Sequence, residues 1–156
     1  MKYSLHRYTL LGDLNGKNYR SFLKKAFAYS DFFSVSVFKS VHRKNLQHSY
    51  FEFLEKVEPF RVLREFKELP QHYERGQKFL IYELNDQTKK ILLDATDGLY
   101  HWLIPNLPED LSFFRHNKVW FNSITHAGIA AIVNWDEQLL VDFSEYKLHE
   151  EYQVCY

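Results

Sequence analysis

Two residue types used in nucleophilic catalysis stand close together in this chain, at Ser123 and His126. A base must lie within hydrogen-bond reach of its nucleophile, and a carboxylate such as Asp110 or Asp94 would then orient the histidine. The stretch around Ser123 lacks the flanking glycines of the elbow that exposes a catalytic serine. We therefore interpret His126 as a structural histidine at a strand end, and keep Ser123, His126 and Asp110 as catalytic candidates.

Paired carboxylates are a second set of candidates, because hard cations and acid–base mechanisms both use neighbouring oxygen atoms. Asp94 stands near Asp97, and Glu109 directly precedes Asp110. Asp97 lies in a turn signal, and the second pair follows a proline-containing loop. Turn geometry and solvation therefore account for both groups without a catalytic role.

Motifs for phosphate and metal binding are missing from the sequence. The five glycines are scattered, whereas a phosphate-binding loop needs them clustered before a helix. The eight histidines form no short-spaced pair, and the single cysteine offers no thiolate pair for zinc. We predict neither a metal nor a cofactor. Nucleic acid is not an expected partner either, because the formal net charge is zero and the basic stretch 42–44 is typical of a solvated loop.

The composition is that of an ordinary globular protein, with 46% hydrophobic and 26% charged residues. A chain of 156 residues predicts a single domain, 1–156. Aromatic residues make up 18%, so large flat side chains must supply much of the core. No apolar stretch approaches the length of a membrane span, and His6 and Arg7 interrupt the segment where a secretory signal would be apolar. With Cys155 as its only cysteine, the chain is predicted to be cytoplasmic.

Charge is distributed unevenly along the chain. Up to Lys78 there are 15 Lys and Arg against 8 Asp and Glu, and from Phe79 onward there are 5 against 12. Whether this asymmetry also exists in space depends on the fold. The simpler interpretation is that the two halves interleave and that their charges pair across the surface.

The first half of the chain predicts strand, helix, strand and helix. Residues 3–11 are rich in strand formers and end at a turn, and 17–29 carry apolar residues at helical spacing. Residues 31–39 alternate in the way of a half-buried strand. A capping pattern at Ser49 then opens a second helix that should end at Pro59, and 60–73 allow no assignment.

In the second half, hydrophobic runs at 78–84 and 89–94 predict a hairpin closed by 85–88, and 99–104 predict a further strand. Residues 111–115 and 118–122 predict a hairpin closed at His116-Asn117. A strand at 129–133 and a terminal helix after Asn134 are the last predicted elements. These elements predict an α+β fold with a mainly antiparallel sheet and two or three helices packed on it.

The hairpin at 111–122 defines the predicted binding surface. With a two-residue turn, alternation places Phe114, Val119 and Phe121 on the core side. The opposite side then carries four residues of a mixed aromatic and basic surface: Phe113, Arg115, Lys118 and Trp120. Tryptophan and arginine are the types most enriched where binding energy concentrates.

The function predicted from these patterns is that of a small non-enzymatic domain that binds or regulates another protein, or a second copy of itself. By analogy of style alone, such a domain is similar to bacterial toxin-immunity proteins, which neutralise a charged partner. The alternative is a small hydrolase or nuclease-like enzyme that uses His126 or His116 with Glu109, Asp110 or Ser123. A concave pocket containing a histidine and a carboxylate within hydrogen-bond reach would favour the enzyme, and a flat aromatic surface would favour the binding protein.

Overall fold

All seven strands that the structure describes belong to one antiparallel sheet, in the order β3-β2-β4-β5-β6-β1-β7. The structure, a computed structural model, describes residues 3–70 and 76–155, with side chains over 6–70 and 76–152. The strands are β1 (Tyr3–Leu10), β2 (Phe32–Phe38), β3 (Gln77–Glu83), β4 (Glu109–Arg115), β5 (Lys118–Ile124), β6 (Ile129–Ile132) and β7 (Leu148–Cys155). The helices are α1 (Gly16–Tyr29), α2 (His48–Val57), α3 (Asp86–Ala95) and α4 (Glu137–Asp142).

This architecture confirms the predicted α+β class with a mainly antiparallel sheet. Helix α1 buries Tyr19, Phe22, Leu23, Ala26 and Phe27, which are the residues whose spacing predicts it. Apolar groups recurring at that spacing form one continuous stripe on a helix, and the stripe packs against the sheet.

The predicted hairpin over 78–94 is wrong in its second half, because 89–94 belong to helix α3. Asn85 is the N-cap of this helix, and its side chain accepts hydrogen bonds from the backbone N–H groups of Gln87 and Thr88 at 3.0 Å. The Thr88 hydroxyl accepts in return from the Asn85 N–H at 2.8 Å. This reciprocal pair is a capping box, so the polar residues that suggested a turn begin a helix instead.

Two further segments differ from prediction. Residues 99–104 form no strand, because Leu99–His101 make a 3₁₀ turn and Trp102 is anchored by its Nε1–H, which donates to the Tyr19 hydroxyl at 2.8 Å. The unassigned stretch 60–73 contributes a single bridge, between Arg61 and Tyr82 of β3, and 71–73 lie outside the described residues.

The last part of the chain contains a strand that the sequence patterns did not predict. Strand β7 pairs with β1 over its whole length, from Tyr3 with Cys155 to Leu10 with Leu148. The charged pair Glu150-Glu151 lies within it, so it lacks the apolar alternation on which the prediction of the other strands depends. The short helix expected after Asn134 is present as α4, although its N-cap is Asp136.

Hydrophobic clusters lie on both faces of the sheet. The large cluster joins the inward side chains of β2 to β6 to all four helices. On the opposite face, Phe114, Val119, Val133 and Ile81 pack against Phe66 from the segment that follows α2. Both faces of the central strands are therefore buried, and exposed functional groups must lie at strand ends and in connections.

Two buried tyrosines give a matched test of this packing. The Tyr82 hydroxyl is buried without a hydrogen-bond partner among the described residues, and burial raises the pKa of Tyr82 to about 12. The Tyr19 hydroxyl accepts the hydrogen bond of Trp102. Tyr82→Phe should stabilise the fold by about 1 kcal/mol, since burying an unpaired polar group is unfavourable, whereas Tyr19→Phe should destabilise it by about 1–3 kcal/mol.

The same pair predicts a pH dependence that urea unfolding can measure. The raised pKa means that the folded state holds the Tyr82 phenol neutral more strongly than the unfolded state does. The resulting contribution to the free energy of unfolding is complete below pH 10, the ordinary pKa of tyrosine, and is lost as pH rises through about 12. The advantage of Tyr82→Phe over the parent protein should therefore grow above pH 10. Equal destabilisation by the two substitutions at neutral pH would show that the Tyr82 hydroxyl has a partner.

Candidate functional site: a cationic cleft and a carboxylate–histidine cluster

The predicted aromatic surface of the 111–122 hairpin is wrong, because both of its aromatic residues belong to the core. Phe113 has no exposed surface, and Trp120 is 2% exposed. Trp120 lies 5.3 Å from Phe143 and 6.0 Å from Phe113, ring centre to ring centre, and its Nε1–H donates to the Ser30 hydroxyl at 2.9 Å. Neither ring is available to a partner as an exposed face.

The turn of the hairpin was predicted correctly. The predicted strand pairing first fails two residues after Lys118, at Trp120. His116 and Asn117 both have positive φ, as a two-residue hairpin turn of this type requires, and Arg115 pairs with Lys118. A shift in register then sets Phe113 opposite Phe121, which leaves Trp120 as the extra residue of a bulge. The bulge turns Trp120 and Phe121 toward the same core.

Three of the four predicted binding residues still line one feature, a cleft at the tip of the hairpin. We call it the hairpin cleft. Its volume is about 330 Å³, within the range of small ligand sites. Trp120 and Leu139 supply its apolar part, and it is lined by Arg115, His116, Lys118, Trp120, Asn134, Asp136 and Leu139.

The two cations of the hairpin cleft are weakly paired. The Arg115 guanidinium lies over the ring of Tyr29 at 5.3 Å, and its Nη1 is 3.7 Å from Oδ2 of Asp136. That separation is longer than a hydrogen bond. Lys118 is exposed and forms no ion pair with any residue that the structure describes. Arg115 is therefore only loosely paired, and Lys118 has no ion-pair partner among the described residues.

A second group of functional side chains meets at the start of β4. One ligand atom from each of Glu109, Asp110 and His126 lies within 4.8 Å of the others, with both carboxylates buried and the histidine exposed. Oε1 of Glu109 is 3.7 Å from Nδ1 of His126, and Oε2 accepts from the backbone N–H of Ile104 at 3.4 Å. A buried carboxylate beside an exposed imidazole is an arrangement that can bind a cation or orient a base.

Asp110 has a structural role within this group. Its Oδ1 accepts from the backbone N–H of Thr125 at 2.8 Å and from the Thr125 hydroxyl at 2.9 Å. Its Oδ2 lies 3.5 Å from Nε2 of Gln77. These bonds hold the turn after β5 against the start of β4, which is how residues far apart in sequence place Glu109 beside His126.

The other catalytic candidates lie elsewhere. The Ser123 hydroxyl is buried and donates to the carbonyl of Leu111 at 2.7 Å. His116 is exposed at the hairpin tip, where its backbone N–H donates to Asp31. Asp94 pairs with Lys90 at 2.7 Å. A serine–histidine–carboxylate triad is therefore not assembled from the predicted residues.

A groove of about 430 Å³ between α2 and α3 was not predicted from sequence. Phe53, Ile91 and Leu107 form its apolar part, and its charged rim consists of the ion pairs Glu52 with Lys56 and Lys90 with Asp94. Those four charges compensate one another, so the groove presents no net charge to a ligand.

Comparison with protein-family models, with curated proteins and with solved structures gives no match. The function must therefore be argued from the geometry of the chain itself. Over the ranges that the structure describes, no helix has the length and apolar character to cross a membrane.

Because Trp120 is buried, its replacement by alanine should destabilise the fold much more than replacement of an exposed residue would. For an exposed aromatic residue, Trp120→Ala would change the free energy of unfolding by less than about 1 kcal/mol. With its ring in the core, the substitution should cost the isolated protein about 3–5 kcal/mol in urea unfolding. Lys118→Ala is the matched control at an exposed position of the same strand, where a change within about 0.5 kcal/mol is expected. A small change in the free energy of unfolding at both positions would indicate that Trp120 is exposed and not part of the core.

Proposed function

We propose that this chain is a non-enzymatic, cytoplasmic protein-binding domain and that the hairpin cleft is its contact site. The observation that carries the proposal is that Arg115 and Lys118 line one concavity, in which Asp136 approaches Arg115 only to 3.7 Å and Lys118 forms no ion pair with a described residue. Arg7, by contrast, is closely paired with Glu151, at 2.9 Å. Binding sites are commonly clefts in which an apolar part is combined with a few well-placed polar groups.

The rest of the molecule supports a binding role over a catalytic one. The predicted nucleophile Ser123 is buried with its hydroxyl bonded to the backbone. Trp120 supplies a rigid wall, because its ring is fixed by the core and by the bond to Ser30. Ordered walls lower the entropic cost of binding, since fewer side chains are immobilised when the partner arrives.

Affinity capture with a charge-matched control tests this function. The parent protein and the double variant Arg115→Gln/Lys118→Gln are used as baits in native lysate, beside Lys24→Gln/Lys44→Gln, which removes two exposed cations elsewhere. We expect a stoichiometric companion on the parent and on the control, and at least about tenfold less on the hairpin variant. Titration calorimetry with the purified companion then measures the affinities. A companion held equally by all three baits would place the contact site outside the hairpin cleft.

A second copy of the chain is the other partner predicted from sequence. Sedimentation of the parent protein over a range of concentrations distinguishes the two cases. Self-association that Arg115→Gln/Lys118→Gln removes would identify the cleft as a homotypic interface. A monomer throughout the range leaves a different protein as the partner.

A second candidate function comes from the proximity of Glu109, Asp110 and His126, which favours the alternative of a hydrolytic or nuclease-like site. Two carboxylates and an imidazole are a donor set for a divalent cation such as Mn²⁺ or Zn²⁺. Such a cation would lower the pKa of a bound water and generate a nucleophile, so that no serine would be required.

Metal titration separates this candidate from the binding function. If the cluster is a metal site, one divalent ion should raise the melting temperature of the chelator-treated protein, and His126→Ala should abolish that increase. His101→Ala is the control, because His101 is also exposed and also faces a carboxylate, at 3.4 Å in Asp97. An increase that persists in His126→Ala, or none in the parent protein, excludes the cluster as a cation site.

A further inference from the structure

The hairpin cleft has the charge pattern of a receptor for acidic side chains. We propose that the partner contacts it through an acidic peptide segment, one carboxylate of which binds Arg115 while another binds Lys118. This inference rests on the binding function proposed above and specifies the chemistry of the partner.

The first argument comes from strand register. Arg115 and Lys118 are directly paired across the two strands of the hairpin, so their side chains project from the same face. Like charges at directly opposed positions of an antiparallel pair repel each other. A carboxylate bound between them would relieve that repulsion, which means that the folded hairpin already favours an anion at this position.

The second argument concerns hydrogen-bond donors. The Arg115 guanidinium donates no hydrogen bond to any residue that the structure describes. Its position over the Tyr29 ring restricts its orientation. A guanidinium presents paired donors that match the two oxygens of a carboxylate, so a ligand carboxylate can make the two-bond contact that is missing within the chain.

Asp136 explains why the protein does not satisfy Arg115 itself. Its Oδ1 accepts from the backbone N–H of Leu139 at 2.8 Å, which caps helix α4, and Oδ2 remains 3.7 Å from Arg115. The hydrogen bond to Leu139 restrains the position of this carboxylate. Asp136 therefore acts as an internal competitor that is held at a distance and is too weak to exclude a better-placed carboxylate.

The surroundings of the cleft favour a peptide over nucleic acid. Besides Asp136, Glu68 bonds the side chain of Asn134, and Asp31 accepts the backbone N–H of His116. Asp136 lines the cleft, and Glu68 and Asp31 each bond one of its lining residues. A continuous phosphate backbone would pass all three carboxylates, so it would be repelled more strongly than a ligand with few, separately placed charges. A peptide can present isolated carboxylates between uncharged residues.

The test uses a capped peptide in which glutamates alternate with small and apolar residues, and the same peptide with glutamine at every glutamate. Fluorescence anisotropy at low salt should show binding of the glutamate peptide alone, weakened about tenfold or more by Arg115→Gln or Lys118→Gln. Lys44→Gln, at an exposed site elsewhere, should leave the affinity unchanged.

Asp136→Asn tests whether Asp136 competes with the peptide for Arg115. Asparagine also caps helices, so α4 is retained while the competing charge is removed. The glutamate peptide should bind this variant about threefold more tightly. Thermal unfolding of each variant confirms that the fold is intact.

Three results would overturn the proposal: no binding of the glutamate peptide at millimolar concentration, equal binding of the glutamine peptide, or stronger binding of a single-stranded oligonucleotide or of inorganic phosphate. The companion protein from the capture experiment distinguishes failure of the acidic-peptide proposal from failure of the proposed binding function. If neutralising its acidic residues leaves its affinity unchanged while Arg115→Gln/Lys118→Gln abolishes it, the domain binds protein but not through carboxylates.

Discussion

Burial of the Trp120 ring is the constraint on which the functional surface depends. The ring lies against Phe113 and Phe143, and its Nε1–H is satisfied by Ser30 at the end of α1. A bulge in β5 is the geometry that lets both Trp120 and Phe121 reach the core. Because the bulge ends before the turn, the paired positions of Arg115 and Lys118 stay in regular register and keep their charges on the rim. The cleft is a consequence of how the core is filled.

Local patterns predicted the elements whose periodicity is strong. Helix α1 and strand β2 each show one clear hydrophobic period, and the His116-Asn117 turn was identified from the tolerance of asparagine for positive φ. The failures have a common physical origin. A polar run such as Asn85 to Thr88 satisfies backbone groups equally well in a turn and in a helix cap, so only its tertiary contacts decide. Strand β7 is held by its partner β1 and carries little hydrophobic signal of its own.

The candidate sites were predictable to different degrees. Arg115 and Lys118 followed directly from the turn, since a two-residue turn fixes the residues on either side of it. The proximity of Glu109 to His126 could not be predicted from spacing rules, because these rules examine ligands on one element, whereas Glu109 begins β4 and His126 lies in the turn after β5. The pairing of the hairpin strands nevertheless indicated this proximity. When the pairing of β4 with β5 is extended past the bulge, the start of β4 lies beside the end of β5, and His126 follows shortly after that end. The α2–α3 groove had no signal, because it depends on how two helices pack.

The pairing of β1 with β7 has a consequence for how this chain is made. Contacts such as that between Arg7 and Glu151 join positions that are 144 residues apart. Closing so long a loop carries a large entropic cost, and domains dominated by such distant pairings fold slowly. During synthesis β1 leaves the ribosome well before both of its neighbours in the sheet, β6 and β7. Until β6 and β7 emerge, the β1 segment has neither of its sheet neighbours, and unpaired strand segments are prone to associate with other unfolded chains.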